Sequence, residues 1–359
     1  MKRRAFLSLG SAAALAGCQG GAVPLPLVAP PEPPQVPLRR IAFSSCADQT
    51  KPQPIWDTVV ADKPDLMIFG GDNVYASAQP WSADALRAAY AMQAEVPGFA
   101  RLRQAVPHLA TWDDHDYGLN DGGADFARKA ESKEAFLAFW QARENDPRRR
   151  HDGIYHAEVF GPPGRRLQVI LLDTRWFRSP WKATDRRNAP GRERYVPDFD
   201  PAKTILGEAQ WQWLADQLRV PAELRLVVSS MQVVADGHGW ERWGNFPFEL
   251  GRLYRLVTVT RADGVVFLSG DRHVGAIYRE PRGPVPYPLY ELTSSGITHP
   301  WKEAAEAGPN RIGELFTEQH YGVVEVDWAA RALQLQLKDL RGAVRRSQGI
   351  AFDELRIRA

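Results

Sequence analysis

Short apolar runs alternate along this chain with stretches of helical period. Arg40–Ser44 reads as a strand, and residues 54–61 as a helix. Residues 66–69 (LMIF) form a four-residue apolar run that ends in Gly70-Gly71, the pattern of a buried strand and turn. A helix is expected over 83–93, a strand over 106–112 and a mostly helical stretch over 126–143, with Phe136, Phe139 and Trp140 on neighbouring turns. Residues 167–172 make a strong buried strand. Residues 206–218 make an amphipathic helix whose stripe carries Trp211, Leu214 and Leu218. Buried strands follow over 226–229 and 265–268. Residues 322–326 and 332–337 read as a hairpin, with Leu333, Leu335 and Leu337 alternating with Gln334 and Gln336. Strands alternating with helices and closed by hairpins predict a layered α/β fold with mixed sheets.

The N-terminus breaks this pattern. Lys2, Arg3 and Arg4 precede an apolar stretch too short to cross a membrane, so residues 1–18 are expected to be an export signal. Arg3-Arg4 before Phe6-Leu7 resembles a twin-arginine signal, and Leu15-Ala16-Gly17-Cys18 resembles a lipobox with Cys18 as the lipidated residue. The alternative is an ordinary secretory signal with a coincidental cysteine. Residues 19–38 are Gly- and Pro-rich, a composition that builds no core and predicts an extended tether. The folded domain is expected over 39–359. These features predict an exported, periplasmic lipoprotein held at the membrane.

Composition narrows the function classes. Of the 359 residues, 45 are Lys or Arg and 43 are Asp or Glu, so no basic field suited to a nucleic-acid polymer is expected. There are two cysteines, so lipidation of Cys18 leaves Cys46 without a disulfide partner in the chain.

Four predicted strands end in polar clusters. They are Ser44-Ser45-Cys46-Ala47-Asp48, Gly70-Gly71-Asp72-Asn73-Val74-Tyr75, Trp112-Asp113-Asp114-His115-Asp116-Tyr117 and Ser269-Gly270-Asp271-Arg272-His273. Ligands of open α/β sheets bind where such strand ends converge. A thiol, a phenol, several carboxylates and two imidazoles suit a hard trivalent or divalent cation beside a second one.

These clusters, in order and spacing, resemble the PhoD-like branch of the metallophosphoesterases. Leu172-Asp173-Thr174-Arg175 and Gly207-Glu208-Ala209-Gln210-Trp211 add to the resemblance, which covers nearly all of the chain after the tether. The resemblance implies a four-layer αββα sandwich with mixed β-sheets. It implies hydrolysis of phosphodiesters or phosphomonoesters by a hydroxide formed between two cations. Asp72 then bridges both metals. Cys46, Tyr75 and His273 complete the first site, where thiolate and phenolate favour ferric iron. Asp114 and Asp271 belong to the second, where oxygen ligands suit calcium, with other divalent metals as alternatives. His115 corresponds to the group that protonates the leaving oxygen. The middle histidine of the wider superfamily has no clear match, and Gln232 or a backbone carbonyl is the candidate in its place.

Each residue has a plainer reading beside this one. Cys46 alone reads as a small buried hydrophobe and Tyr75 as a core or rim aromatic. Asp113 and Asp116 read as braces of their loop. Arg175 either clamps phosphate or fixes the loop through a carboxylate. Arg272 meets either substrate or solvent. Asn120 to Gly123 read as a turn from which Asn120 reaches the site. The loop 236–249, with His238, Trp240, Trp243 and Phe246, either covers the cleft or packs on the surface, and residues 298–301 offer a second rim. Two other functions remain open at this stage: a metal-dependent ligand-binding lipoprotein without catalysis, and a nucleotide phosphodiesterase.

Overall fold

The computed structural model describes residues 31–32, 36–281, 283 and 285–357. The export segment, Cys18 and most of the tether lie outside the described residues. Strands β1 (Arg40–Ser44), β2 (Leu66–Gly70) and β3 (His108–Thr111) run parallel. Their alternation divides two cores. Ile41, Phe43, Leu66, Ile68 and Leu109 join one cluster, while Ala42, Met67, Phe69 and Ala110 join the other. Side chains two residues apart share a face of a strand, so this sheet is buried on both sides.

The second of these clusters is covered by helices. Contributors are α1 (Ile55–Ala61), α2 (Ala83–Glu95), α3 (Pro97–Ala105) and, beyond the one-turn α4 (Asp114–Tyr117), α5 (Lys129–Phe139). Trp56, Tyr90, Phe99, Leu102, Phe136 and Phe139 supply much of its volume. Helix α3 was not expected, because Pro97 reads as a break. It stands instead at the first helical turn, where its missing N–H costs nothing. The predicted helix over 126–143 shrinks to 129–139. Trp140, just past its end, is buried beside it.

The second sheet is built from β4 (His156–Phe160), β5 (Leu167–Leu171), β6 (Leu224–Ser229), β7 (Val265–Ser269), β8 (Gly275–Glu280), β9 (Leu289–Ser294) and β10 (Arg311–Phe316). Its order is β10-β8-β9-β7-β6-β5-β4. Strands β5, β6, β7 and β9 are parallel, and their neighbours β4 and β8 are antiparallel. Helix α6 (Gly207–Arg219) packs Trp211, Leu214 and Leu218 on it. Helix α7 (Pro247–Val259), again opened by a proline, packs Leu253, Tyr254 and Val257. The chain then returns to the first sheet as a meander of β11 (His320–Asp327), β12 (Ala332–Asp339) and β13 (Val344–Ala351), giving the order β13-β12-β11-β1-β2-β3. The expected hairpin is therefore part of three strands. Residues of both sheets meet in one core, so the layers are helix, sheet, sheet, helix, as the αββα expectation required.

The topology matters most at one end. The parallel strands of both sheets finish there, and hydrogen bonds tie the two ends together. Ser45 N donates to Ser294 O at 3.1 Å, and Thr111 Oγ1 to Leu172 O at 2.9 Å.

Candidate metal centre

The loops leaving β2, β3 and β7 converge on a cavity of about 240 Å³. Asp72, Asp114, His115, Asp271 and His273 line it. Cys46 Sγ lies 3.5 Å from Asp72 Oδ2, and Tyr75 Oη lies 3.5 Å from the same oxygen. Tyr75 Oη is also 3.1 Å from His273 Nε2. One potential ligand atom each from Cys46, Asp72 and His273 falls within 4.8 Å of the others, as does a second set from Asp72, Asp114 and His115. Asp72 is common to both sets. A third set joins Asp114, Asp121 and Glu241.

The local backbone is bent to make this possible. Cys46, Asp72, Asp271 and His273 all have positive φ, at 64°, 49°, 66° and 57°. Non-glycine residues adopt this region at a cost of ~1–3 kcal/mol each, and such residues cluster at functional sites. Before Asp72 the chain needs Gly71, with φ of 107°. A Cβ there would lie 2.6 Å from the Cβ of Asp113.

Burial sets the protonation of these groups. It pushes the Cys46 thiol and the Asp72 carboxyl well up, with neighbouring carboxylates adding to both. It raises the Tyr75 phenol, reinforced by Cys46, and raises Asp271 well above the usual carboxylate range, reinforced by Glu241 and Asp113. It lowers His273 to about 3, helped by His299. Burial also opposes ionisation of Asp114. There, His115, Arg175 and the Asp121 N–H outweigh it and bring the group down to about 2. The cavity therefore collects acidic groups, of which burial holds Asp72 and Asp271 back from ionising while Asp114 ionises readily. Asp114 Oδ1 is buried with no hydrogen-bond partner. Soft and hard donors, a shared carboxylate and an orphaned oxygen fit two cations.

The remaining predicted residues separate. Arg175 is fully buried. It grips Glu241 through Nη1 and Nη2 at 2.8 and 2.9 Å, and Asp113 through Nε at 2.6 Å, so it fixes loops through carboxylates. Asp116 braces the loop as expected, accepting from the backbone N–H groups of Asp72, Asn73 and Asp113. Gln232 is corrected. Its amide nitrogen donates to Thr293 Oγ1 and Tyr278 Oη, its oxygen meets His238 Nε2, and it is absent from the cavity wall. Both of its ends are spent in the core. Asn120 and Arg272 line the cavity. In the loop 236–249, Trp240 faces the cavity while His238, Trp243 and Phe246 are buried, so both readings of that loop hold in part. Trp301 supplies the second rim.

Comparison with known proteins now decides the family. The PhoD-like phosphatase family matches residues 41–337. The chain belongs to the PhoD-like phosphatases. Membership makes it a phosphoric ester hydrolase with phosphate esters as its substrate class. The solved structure of PhoD superposes with a TM-score of 0.68 at 17% identity, covering 90% of this chain and 70% of the other. Purple acid phosphatase PPD1 from yellow lupin seeds gives a TM-score of 0.60 at 11% identity, covering 90% and 55%. These two likenesses establish the metallophosphoesterase-like fold. Comparison with curated proteins gave no match.

Sequence reasoning missed several members of the PhoD-like site. Asp121, Arg194, Tyr195 and Glu241 all line the cavity. Asp121 Oδ2 accepts from Arg194 Nη1 at 2.8 Å and Tyr195 Oη at 2.5 Å. Glu241 was legible in principle as the carboxylate inside the Trp-rich loop, and Asp121 as the neighbour of Asn120. Arg194 and Tyr195 come from a polar connection, residues 182–195, that carries no periodic signal.

Proposed function

We propose that this PhoD-like phosphatase hydrolyses phosphodiesters and phosphomonoesters outside the cytoplasm, using ferric iron and calcium. The observation that carries the reading is one cavity onto which Asp72, Asp114, His115, Asp271 and His273 open, with the Cys46 thiol and the Tyr75 phenol against Asp72. Cys46, Asp72, Tyr75 and His273 would hold the iron; Asp72, Asp114 and Asp271 would hold the calcium, for which other divalent cations are substitutes. When bound, such cations acidify a water and neutralise charge on the phosphoryl oxygens.

The chain's own residues do the rest. Asp72 is fixed on both sides: Oδ1 accepts the His115 N–H at 3.1 Å, and Oδ2 faces the thiol and phenol. His115 Nδ1 lies 2.6 Å from Ser77 Oγ, and the ring stacks on Tyr75 at 4.2 Å. The imidazole is thereby held with Nε2 left to carry a proton to the leaving oxygen. Trp240 and Trp301 line the cavity. The twin-arginine and lipobox resemblances of residues 1–18 support export and anchoring at a periplasmic membrane face through Cys18.

The test is hydrolysis of bis(p-nitrophenyl) phosphate by protein supplied with iron and calcium, with and without a calcium chelator. Turnover that the chelator abolishes is expected. Folded, cation-loaded protein without turnover on any ester would move the reading to ligand binding.

A further inference from the structure

Three guanidiniums approach the cavity, and they are not equivalent. Arg175 is consumed by Asp113 and Glu241, and Arg194 is paired with Asp121. Arg272 is different. It is 5% exposed and lines the cavity from the tight turn between Asp271 and His273. One of its terminal nitrogens donates to Glu306 Oε2 at 2.6 Å. Its Nε is buried with no partner, and so is Glu306 Oε1. The guanidinium carbon sits 4.8 Å from the Trp240 ring centre and 5.9 Å from that of Trp301, and the two indoles meet edge to face at 5.7 Å. Trp301 is itself pinned, since its N–H donates to His273 O at 2.7 Å.

This arrangement fixes a charged fork and leaves part of it unused. A guanidinium held by one carboxylate oxygen and two indole faces has lost most of its rotational freedom, so an incoming acceptor bears little further ordering cost. The guanidinium lines the cavity, and its fork matches the oxygens of a tetrahedral anion. We propose that Arg272 receives a non-bridging phosphoryl oxygen of the substrate, and that Glu306, Trp240 and Trp301 are positioning residues that hold it there. The assignment rests on the phosphatase reading of this cavity. It adds a protein-borne anion contact that does not depend on the cations.

The experiment compares wild type, R272Q, R272K and E306Q, each with iron and calcium. It measures kcat and KM for bis(p-nitrophenyl) phosphate, and inorganic phosphate binding by calorimetry. R272Q should raise KM and weaken phosphate binding by ~10–100-fold, the range of a charge-assisted hydrogen bond. R272K, which keeps the charge without the fork, should lose less than R272Q on both. E306Q should raise KM and weaken phosphate binding by ~3–10-fold with kcat within about threefold, a split that general loosening of the fold does not produce. Constants within twofold of wild type in folded R272Q overturn the proposal while leaving the phosphatase reading intact. If R272Q does not fold, unchanged constants in both R272K and E306Q overturn it. If wild type turns over no ester, the phosphatase reading fails, and phosphate binding still decides Arg272.

Discussion

His115 is where the proposed chemistry can be separated from mere binding. Replacing it with Ala removes an imidazole held by two contacts, Ser77 Oγ at 2.6 Å and the Tyr75 ring at 4.2 Å, and keeps the backbone N–H that donates to Asp72 Oδ1. Because the backbone contact survives, Asp72 should stay in place. The lost stacking costs stability of only ~0.5–1.5 kcal/mol, so the variant should fold. The catalytic loss depends on the leaving group. General acid catalysis contributes about 10²–10⁴-fold where the departing oxygen must be protonated, or roughly 3–5.5 kcal/mol of barrier. An alkyl phosphate should suffer that whole loss. A nitrophenyl phosphate, whose phenolate leaves unprotonated, should lose less than about tenfold. The assay is steady-state kcat on both esters with cation content checked. Ser77→Ala should show the same selectivity on a smaller scale, about fivefold on the alkyl ester, because it only frees the ring. Equal losses on the two esters would refute the acid role and leave His115 as a brace.

Three further outcomes follow from the scaffold. Arg175→Met strands the buried Glu241 carboxylate without its counter-charge and should cost ~3–5 kcal/mol in urea unfolding, with recovery when Glu241→Gln is added; a cost below about 1 kcal/mol would contradict it. Burial lifts Asp113 and Asp116 to about 7. Both carboxyls stay protonated in the folded chain over a range where the unfolded chain ionises, so their contribution is complete below about pH 4 and is lost as pH rises to about 7. The urea midpoint of chelator-treated protein should therefore fall between pH 4.5 and 7.5, and a rise over that window refutes the assignment. Gly71→Ala forces a Cβ to within 2.6 Å of Asp113 at φ of 107° and should both lower the midpoint and weaken cation binding, read by equilibrium dialysis.

How much of this was legible in the sequence follows from which signals are local. Parallel strands such as β2 and β7 were readable because each is a largely apolar run, and the polar clusters at their ends because they interrupt those runs; the parallel β9 (LYELTS) was not, since Glu291 and Thr293 break its run. Helices α3 and α7 were not, since each opens on a proline that reads as a break until the turn geometry is seen. Strand β13 (VRRSQGIA) was not, because an edge strand with mostly exposed or half-buried side chains shows no apolar alternation. Nor did Gln232 betray that its amide is spent on Tyr278, Thr293 and His238, since each of those partners comes from a distant part of the chain or a turn of unknown path.

The acidic residues show why a site needs more than its residue types. The chain places several buried carboxylates near these strand ends, and they divide by what the protein gives them. Asp173 accepts from the Ile154, Arg175 and Trp176 N–H groups and from the Trp112 indole. Asp116 accepts from three backbone N–H groups and the Asn73 amide, and Glu291 from the Val233, Val234 and Ala235 N–H groups. Each of these is satisfied from within and holds a loop. Asp72 receives one backbone N–H and two long contacts, at 3.5 Å each, from the Cys46 thiol and the Tyr75 phenol, while Asp114 receives one backbone N–H and nothing at its other oxygen. Burying Asp72 with such long side-chain contacts is unfavourable for its ionised form in the chain alone, and burial accordingly raises its carboxyl. That cost, together with the left-handed backbone at Cys46, Asp72, Asp271 and His273, becomes intelligible once positive charge is supplied from outside. The satisfied carboxylates build the frame, and Asp72 and Asp114 are the ones that the proposed cations would engage.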